Sequence, residues 1–184
     1  ILPSFRLDLQ MQDGSIQVND FFETNVPTIY AVGDVIGGNF QFAHVASAQG
    51  VNVVNVINGI RRKMDYSCHP INLYSEPEMA QVGYTEPQIQ AAGVSYKVTH
   101  LPLSANGKAL AEGNSDGFIR LLSEQKYGEV LGVQIVASHA TDMIAEAVAI
   151  IQMEGTIFDV SKIIHAHPTT SEIFLEAGYA AMEE

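Results

Sequence analysis

Apolar and polar positions alternate loosely at the start of the chain, with Phe5, Leu7 and Leu9 before Asp13-Gly14 and Ile16 and Val18 after it. Two short alternating runs around an Asp-Gly pair predict a β-hairpin. Ile29 to Val32 is a continuous apolar run after Pro27, the pattern of a short buried strand of parallel type, with Gly33-Asp34 at its carboxyl end. Beyond Gly37-Gly38, apolar side chains at 43, 45, 46, 53, 54, 56, 57 and 60 predict a helix with a broad buried face, ending near Asn58-Gly59.

The texture changes after Arg61-Arg62-Lys63 and Ser67, the most polar linker, and a domain boundary is placed there, giving units 1–67 and 68–184. Short strand-like runs follow at 71–75, 79–83, 96–102, 118–123 and 130–137, with turns at Gly107 and at Tyr127-Gly128. Thr85-Glu-Pro-Gln88 opens a helix with a Thr cap and Pro in the first turn. Residues 140–154 predict a strongly apolar helix and 170–183 a terminal one. The order reads as an α/β remnant followed by an α+β layer, an antiparallel sheet with helices on one face.

Composition narrows the partners. The 184 residues hold 21 acidic and 9 basic side chains, a formal net charge of −12, and this argues against nucleic acid or an anionic membrane surface. No apolar run approaches the roughly 20 residues needed to span a bilayer. One cysteine, Cys68, excludes an intrachain disulfide, a CxxxxC redox pair and a Cys-rich zinc site, and suits a reducing compartment. The first residues, Ile-Leu-Pro-Ser-Phe, carry neither Met nor a signal pattern, so the chain is read as an internal start and a C-terminal piece of something longer.

Two stretches carry chemistry. An Asp at the carboxyl end of a buried strand, followed by a helix start, is where α/β folds place ligands. Its carboxylate accepts hydrogen bonds from ribose or polyol hydroxyls, and the opening amides near Phe42, Ala43 and His44 offer positive dipole to an electron-rich group. The plain alternative for Gly33-Asp34 is a turn with an Asp cap. The second stretch, His165-Ala-His-Pro-Thr-Thr-Ser-Glu172, holds two of the chain's six histidines. It admits three readings. A metal clip is the weakest, since zinc wants three or four ligands and the other histidines show no ligand spacing. A helix start is stronger: Thr169 to Glu172 fits a capping box in which Glu172 reaches back to the Thr169 amide. In the third, Glu172 binds one nitrogen of His167, fixes its tautomer and leaves the other nitrogen free to take a proton.

The string Thr24, Pro27, Ile29, Tyr30, Ala31, Gly33, Asp34 resembles the second flavin-binding motif of the pyridine nucleotide–disulfide oxidoreductases. The resemblance implies that Asp34 holds the ribityl chain of FAD and that the amides of Phe42 and Ala43 face the flavin. The 165–172 stretch resembles the C-terminal signature of the dihydrolipoamide dehydrogenase branch of that family. By that likeness His167 is the acid/base, Glu172 its partner, and His165 and Pro168 are supporting residues, with the His–Pro bond cis. Pro77 and Gly83-Tyr84-Thr85-Glu86, Asn106 to Phe118 and Gly132 to Ala137 resemble the family's dimerisation domain.

The resemblance implies an FAD-binding remnant followed by a dimerisation domain, from an enzyme that oxidises dihydrolipoamide with NAD as acceptor. The Gly-rich FAD turn, the CxxxxC pair and the NAD-binding region would lie upstream, so this chain alone is expected to be inactive. The partners implied are a second copy, in a homodimer whose His–Glu pair is supplied in trans, and the dihydrolipoyl group of a 2-oxo acid dehydrogenase complex. The implied compartment is the cytoplasm, or the mitochondrion in a eukaryote. Two other readings stay open: a glutathione-reductase-like relative and a non-catalytic dimerisation module.

Overall fold

In the computed structural model residues 7–38 and 41–183 are described, so the expectation for Phe5 lies outside the described residues. The chain divides into two compact units, Ile1–Tyr66 and Ser67–Glu184.

In the first unit the hairpin forms as β1 (Met11–Gln12) and β2 (Ser15–Ile16), with Met11 opposite Ile16. Asp13 and Gly14 both have positive φ, the conformation a tight hairpin turn demands and the reason Asp-Gly signalled it. Helix α1 (Ala43–Ile57) ends one residue before Asn58 and buries Val45, Gln49 and Val56. The run at 29–32 does not form the expected parallel strand. Tyr30 makes a single antiparallel bridge to Glu23, because no parallel neighbour lies beside the run among the described residues to continue a ladder. Gly33–Ile36 is instead a tight 3₁₀ turn packed against α1. Gly33 sits at φ 73°, and a Cβ there would lie 3.1 Å from the Ala46 methyl; its N–H donates to Gln49 Oε1 at 2.6 Å. Only glycine lets the turn approach the helix so closely.

The second unit holds a five-stranded antiparallel sheet, β3 (Ile71–Leu73), β4 (Glu78–Gly83), β5 (Tyr96–Pro102), β6 (Phe118–Glu124) and β7 (Val130–Ala137), in the order β3-β4-β7-β6-β5. Period-2 alternation sends Ala80, Val82, Ile119, Leu121, Val133, Ile135 and Ala137 into one core. Helix α4 (Ala140–Gln152) lies against β4 and β7, and α6 (Glu172–Glu183) against β5 and β6. Their buried positions, Ala140, Met143, Ile144, Ala147 and Ile150 on one and Ile173, Phe174, Ala177 and Ala181 on the other, keep the helical period. Gly83 and Gly132 face each other across β4 and β7, and a Cβ on Gly132 would lie 2.2 Å from the Tyr84 carbonyl oxygen. That close approach is why the strand pair carries glycine there.

Helix α2 (Glu86–Ala91) opens at the expected Thr85 cap, which forms a capping box with Gln88. Glu86 pairs with Arg120, whose strand neighbours Ile119 and Leu121 point into the core, so the pair lies on the opposite face of the sheet. Gly107 does not form the expected turn. It opens α3 (Gly107–Glu112), because the preceding Asn106 caps the helix by accepting from the Ala109 N–H at 2.9 Å. A four-residue helix, α5 (Ile157–Val160), capped by Thr156 and Asp159, is an addition to the sequence reading. Between α5 and α6 runs an irregular strap that carries the histidine stretch.

Candidate functional site

The strap is held from two helices that the core orients. At its far end Thr169 donates its N–H to Glu172 Oε2 at 2.8 Å, so the carboxylate reaches back as a capping box requires. The Thr169 hydroxyl does not complete the box. It donates instead to the Ala166 carbonyl at 2.7 Å and so folds the strap on itself. The other oxygen of the same carboxylate, Oε1, lies 2.9 Å from His167 Nδ1. The helix-cap reading and the His–Glu reading of this stretch therefore coexist, one carboxylate oxygen serving each.

A carboxylate only accepts, so the nitrogen facing Glu172 is Nδ1–H and the lone pair of His167 sits on Nε2. The ring is 81% exposed, leaving Nε2 open to an incoming group. The Thr169 amide, then His167 and more distantly His165, hold the Glu172 carboxyl below the usual carboxylate range. One turn on, Glu176 is pushed the other way, upward, by burial and by the charge of Glu172. Ionised and doubly bonded, Glu172 is set to stabilise an imidazolium at His167. The His167–Pro168 bond is cis.

His165 behaves differently. Its side chain is 6% exposed, and Nε2 lies 2.8 Å from Glu146 Oε1 on α4. Asn106 closes the other side of the strap, donating from Nδ2 to the Thr169 carbonyl at 3.1 Å. Neither Glu146 nor the Asn106 bond emerges from reading the sequence. The available signal for Glu146 was a lone carboxylate inside the apolar stretch from Met143 to Ile151. His165 and His167 are turned to separate carboxylates, and among the described residues no group of three or more His, Cys, Asp or Glu is gathered as a metal site would need. A concavity of about 310 Å³ beside the strap is lined by Pro168, Thr169, Thr170, Ser171, Lys108 and His139, among others; His167 is outside that lining.

In the first unit Asp34 is exposed within the 3₁₀ turn, and its carboxylate makes no hydrogen bond among the described residues. Helix α1 begins at Ala43 after Phe42, whose side chain makes no cap to it. An exposed carboxylate and the start of a 15-residue helix are the acceptor and donor set that a polyol chain and an electron-rich ring edge take, so these residues fit an FAD contact. Among the described residues no helix is long and apolar enough to cross a membrane.

Comparison with known proteins adds lineage to this geometry. The family model described as pyridine nucleotide-disulphide oxidoreductase, dimerisation domain, matches residues 69–178, and that of pyridine nucleotide-disulphide oxidoreductase matches 2–50. Dihydrolipoyl dehydrogenase of Cupriavidus necator is 43% identical over 169 residues, 92% of this chain and 35% of that protein. Its namesake in Bacillus subtilis is 41% identical over 175 residues, covering 95% and 37% respectively. The chain thus spans about a third of the length of these relatives. Among solved structures, LpdA of Mycobacterium tuberculosis superposes with a TM-score of 0.86 at 26% identity, over 97% of this chain and 39% of that one. The HOCl-induced flavoprotein disulfide reductase RclA of Escherichia coli shares the fold, with a TM-score of 0.84 at 22% identity over 93% of this chain and 40% of that one.

Proposed function

We propose, from the premise that this chain belongs to the pyridine nucleotide-disulphide oxidoreductase family, that it is part of a dihydrolipoamide dehydrogenase and supplies that enzyme's acid/base pair. The observation that carries the reading is the His167–Glu172 bond, with Nδ1 held and Nε2 open. A dihydrolipoyl thiol must lose its proton before its sulfur attacks a disulfide. Nε2 of His167 takes that proton, and Glu172, already ionised and fixed by the Thr169 amide, stabilises the positive ring that results. A neutral imidazole is a base of the right strength for a thiol near neutral pH.

A bound FAD would supply a two-electron carrier between the redox disulfide and NAD. Asp34 would accept from the ribityl hydroxyls, and the amides at Phe42 and Ala43 would face the electron-rich edge of the flavin. NAD and the redox disulfide are assigned to regions beyond this chain, whose one cysteine cannot form such a pair, so the chain by itself is inactive. A ring as exposed as His167, outside the lining of the concavity beside the strap, is suited to completing a site on another surface. We assign that surface to the partner in a homodimer, with the pair working in trans. The physiological thiol is the dihydrolipoyl arm of a 2-oxo acid dehydrogenase complex, in the cytoplasm or mitochondrial matrix.

The test is flavin reduction by dihydrolipoamide in the full-length holoprotein. His167→Gln is expected to slow it by about 10²- to 10⁴-fold, with thermal stability unchanged. Unaltered reduction in that variant, or faster reduction of glutathione disulfide than oxidation of dihydrolipoamide in the parent, would refute the assignment.

A further inference from the structure

The strap offers a second His–Glu pair that the proposed chemistry does not use. His165 hands its Nε2–H to Glu146 at 2.8 Å, and its other nitrogen, Nδ1, is buried without a hydrogen-bond partner. Burying an imidazole and stranding one of its nitrogens costs stability that an apolar side chain of similar size would not. The pair is therefore poorly explained as packing. What it adds is direction: a ring held by one linear bond to a rigid helix has a fixed place and a fixed tautomer.

Its location says what that direction serves. The strap is irregular from the end of α5 to Glu172, and an irregular segment has no ladder to hold it. Its fixed points are His165, bonded to α4, and Thr169, whose carbonyl accepts from Asn106 and whose amide donates to Glu172. His167 lies midway between them, and among the described residues its ring is bonded to Glu172 alone. Loss of either fixed point frees the backbone that sets where Nε2 of His167 stands.

We propose that Glu146 is a positioning residue of the His167–Glu172 site, clamping His165 and through it the backbone that carries the acid/base. The inference rests on the reading of His167 as proton acceptor for its catalytic meaning, but the clamp itself is a property of this chain. Glu146 sits on α4 at the edge of the buried stripe formed by Met143, Ile144 and Ala147, so the helix that the sheet holds most firmly is the one that anchors the strap. Its carboxylate does not touch the reacting atoms. It acts by orientation, and misplacing a base by a fraction of its hydrogen-bond length costs rate with little change in binding.

The test uses two independent readouts. In the 184-residue chain, ¹⁵N-histidine spectra at about pH 8, above the ordinary imidazole pKa, should show His165 as the Nε2–H tautomer with a bare Nδ1. Glu146→Ala should turn His165 into a tautomer mixture and shift the ring signals of His167, which Glu146 does not touch. Glu146→Gln keeps an acceptor oxygen and should restore both. A His165 in the Nδ1–H form, or His167 signals unmoved in the alanine variant while the chain stays folded, overturns the clamp.

In the full-length holoprotein, Glu146→Ala should lower kcat for dihydrolipoamide roughly tenfold to a hundredfold with KM nearly unchanged, and Glu146→Gln should regain most of it. If His167→Gln impairs turnover and Glu146→Ala does not, the positioning role is wrong. If His167→Gln has no effect either, the proposed function has failed, and the spectra alone decide the clamp.

Discussion

Two histidines separated by one alanine meet opposite fates here. His165 is 6% exposed and gives Nε2–H to Glu146; His167 is 81% exposed and gives Nδ1–H to Glu172. A regular strand would have turned both rings to the same side. The strap is not a strand, and its internal bond from Thr169 to the Ala166 carbonyl folds it between the two rings. The lesson is that a His–Glu pair has no fixed meaning. Buried, with its second nitrogen stranded, the pair positions; exposed, with its second nitrogen open, it is equipped to exchange a proton.

Removing the rings one at a time should break the symmetry most plainly. His165→Ala empties a buried site and leaves Glu146 without its donor, a loss of about 3 kcal/mol in urea unfolding of the chain. His167→Ala removes an exposed ring and should change stability by less than about 0.5 kcal/mol. Equal losses from the two variants would mean that burial does not separate their roles. The next effect down concerns the anchor on the His167 side. Asn106→Ala strips the cap from α3 and the donor from the Thr169 carbonyl, an expected cost of about 1–2 kcal/mol. Asn106→Asp keeps the cap oxygen and loses only the donor, so it should recover part of that cost. An Asp variant no better than Ala would show that the Thr169 contact, rather than the cap, carries the energy.

What could be read in the sequence follows the same divide between local and distant causes. Strands 96–102 and 130–137 coincide with their predicted limits, because period-2 alternation against a single core is a local signal. The hairpin at Asp13-Gly14 and the cap at Thr85 were legible for the same reason, as was the reach of Glu172 to the Thr169 amide. The run at Ile29–Val32 misled because an apolar run declares burial, not a pairing partner, and among the described residues it makes a single bridge, Tyr30 to Glu23. Gly107 misled because glycine suggests a break, while Asn106 just before it supplied the cap that starts a helix. Helix α5 was too short for a periodic signal. Glu146 and Asn106 were hidden because their partners lie 19 and 63 residues away, and no local pattern encodes such a pairing.

The smallest effect sharpens the comparison from the acid side. Thr169's amide first, then His167 and His165, lower the Glu172 carboxyl. A carboxyl lowered by folding stabilises the fold while it is ionised. That contribution is complete above the unfolded value of about 4.3 and fades as pH falls through the lower folded value. Glu172→Gln keeps an oxygen for the Thr169 amide but never ionises, so the variant should melt below the parent at about pH 6. The gap should then narrow as the pH falls below the unfolded value of about 4.3, because the unfolded chain takes up its proton before the folded carboxyl does. Neutralising Glu172 also relieves Glu176, which burial first and then the charge of Glu172 push upward, and this trims the gap without reversing the trend. A gap that stays constant or widens in acid would show that Glu172 acts through packing alone. In that case the exposed pair would owe its geometry to a neutral cap, and its distinction from the buried pair would rest on exposure only.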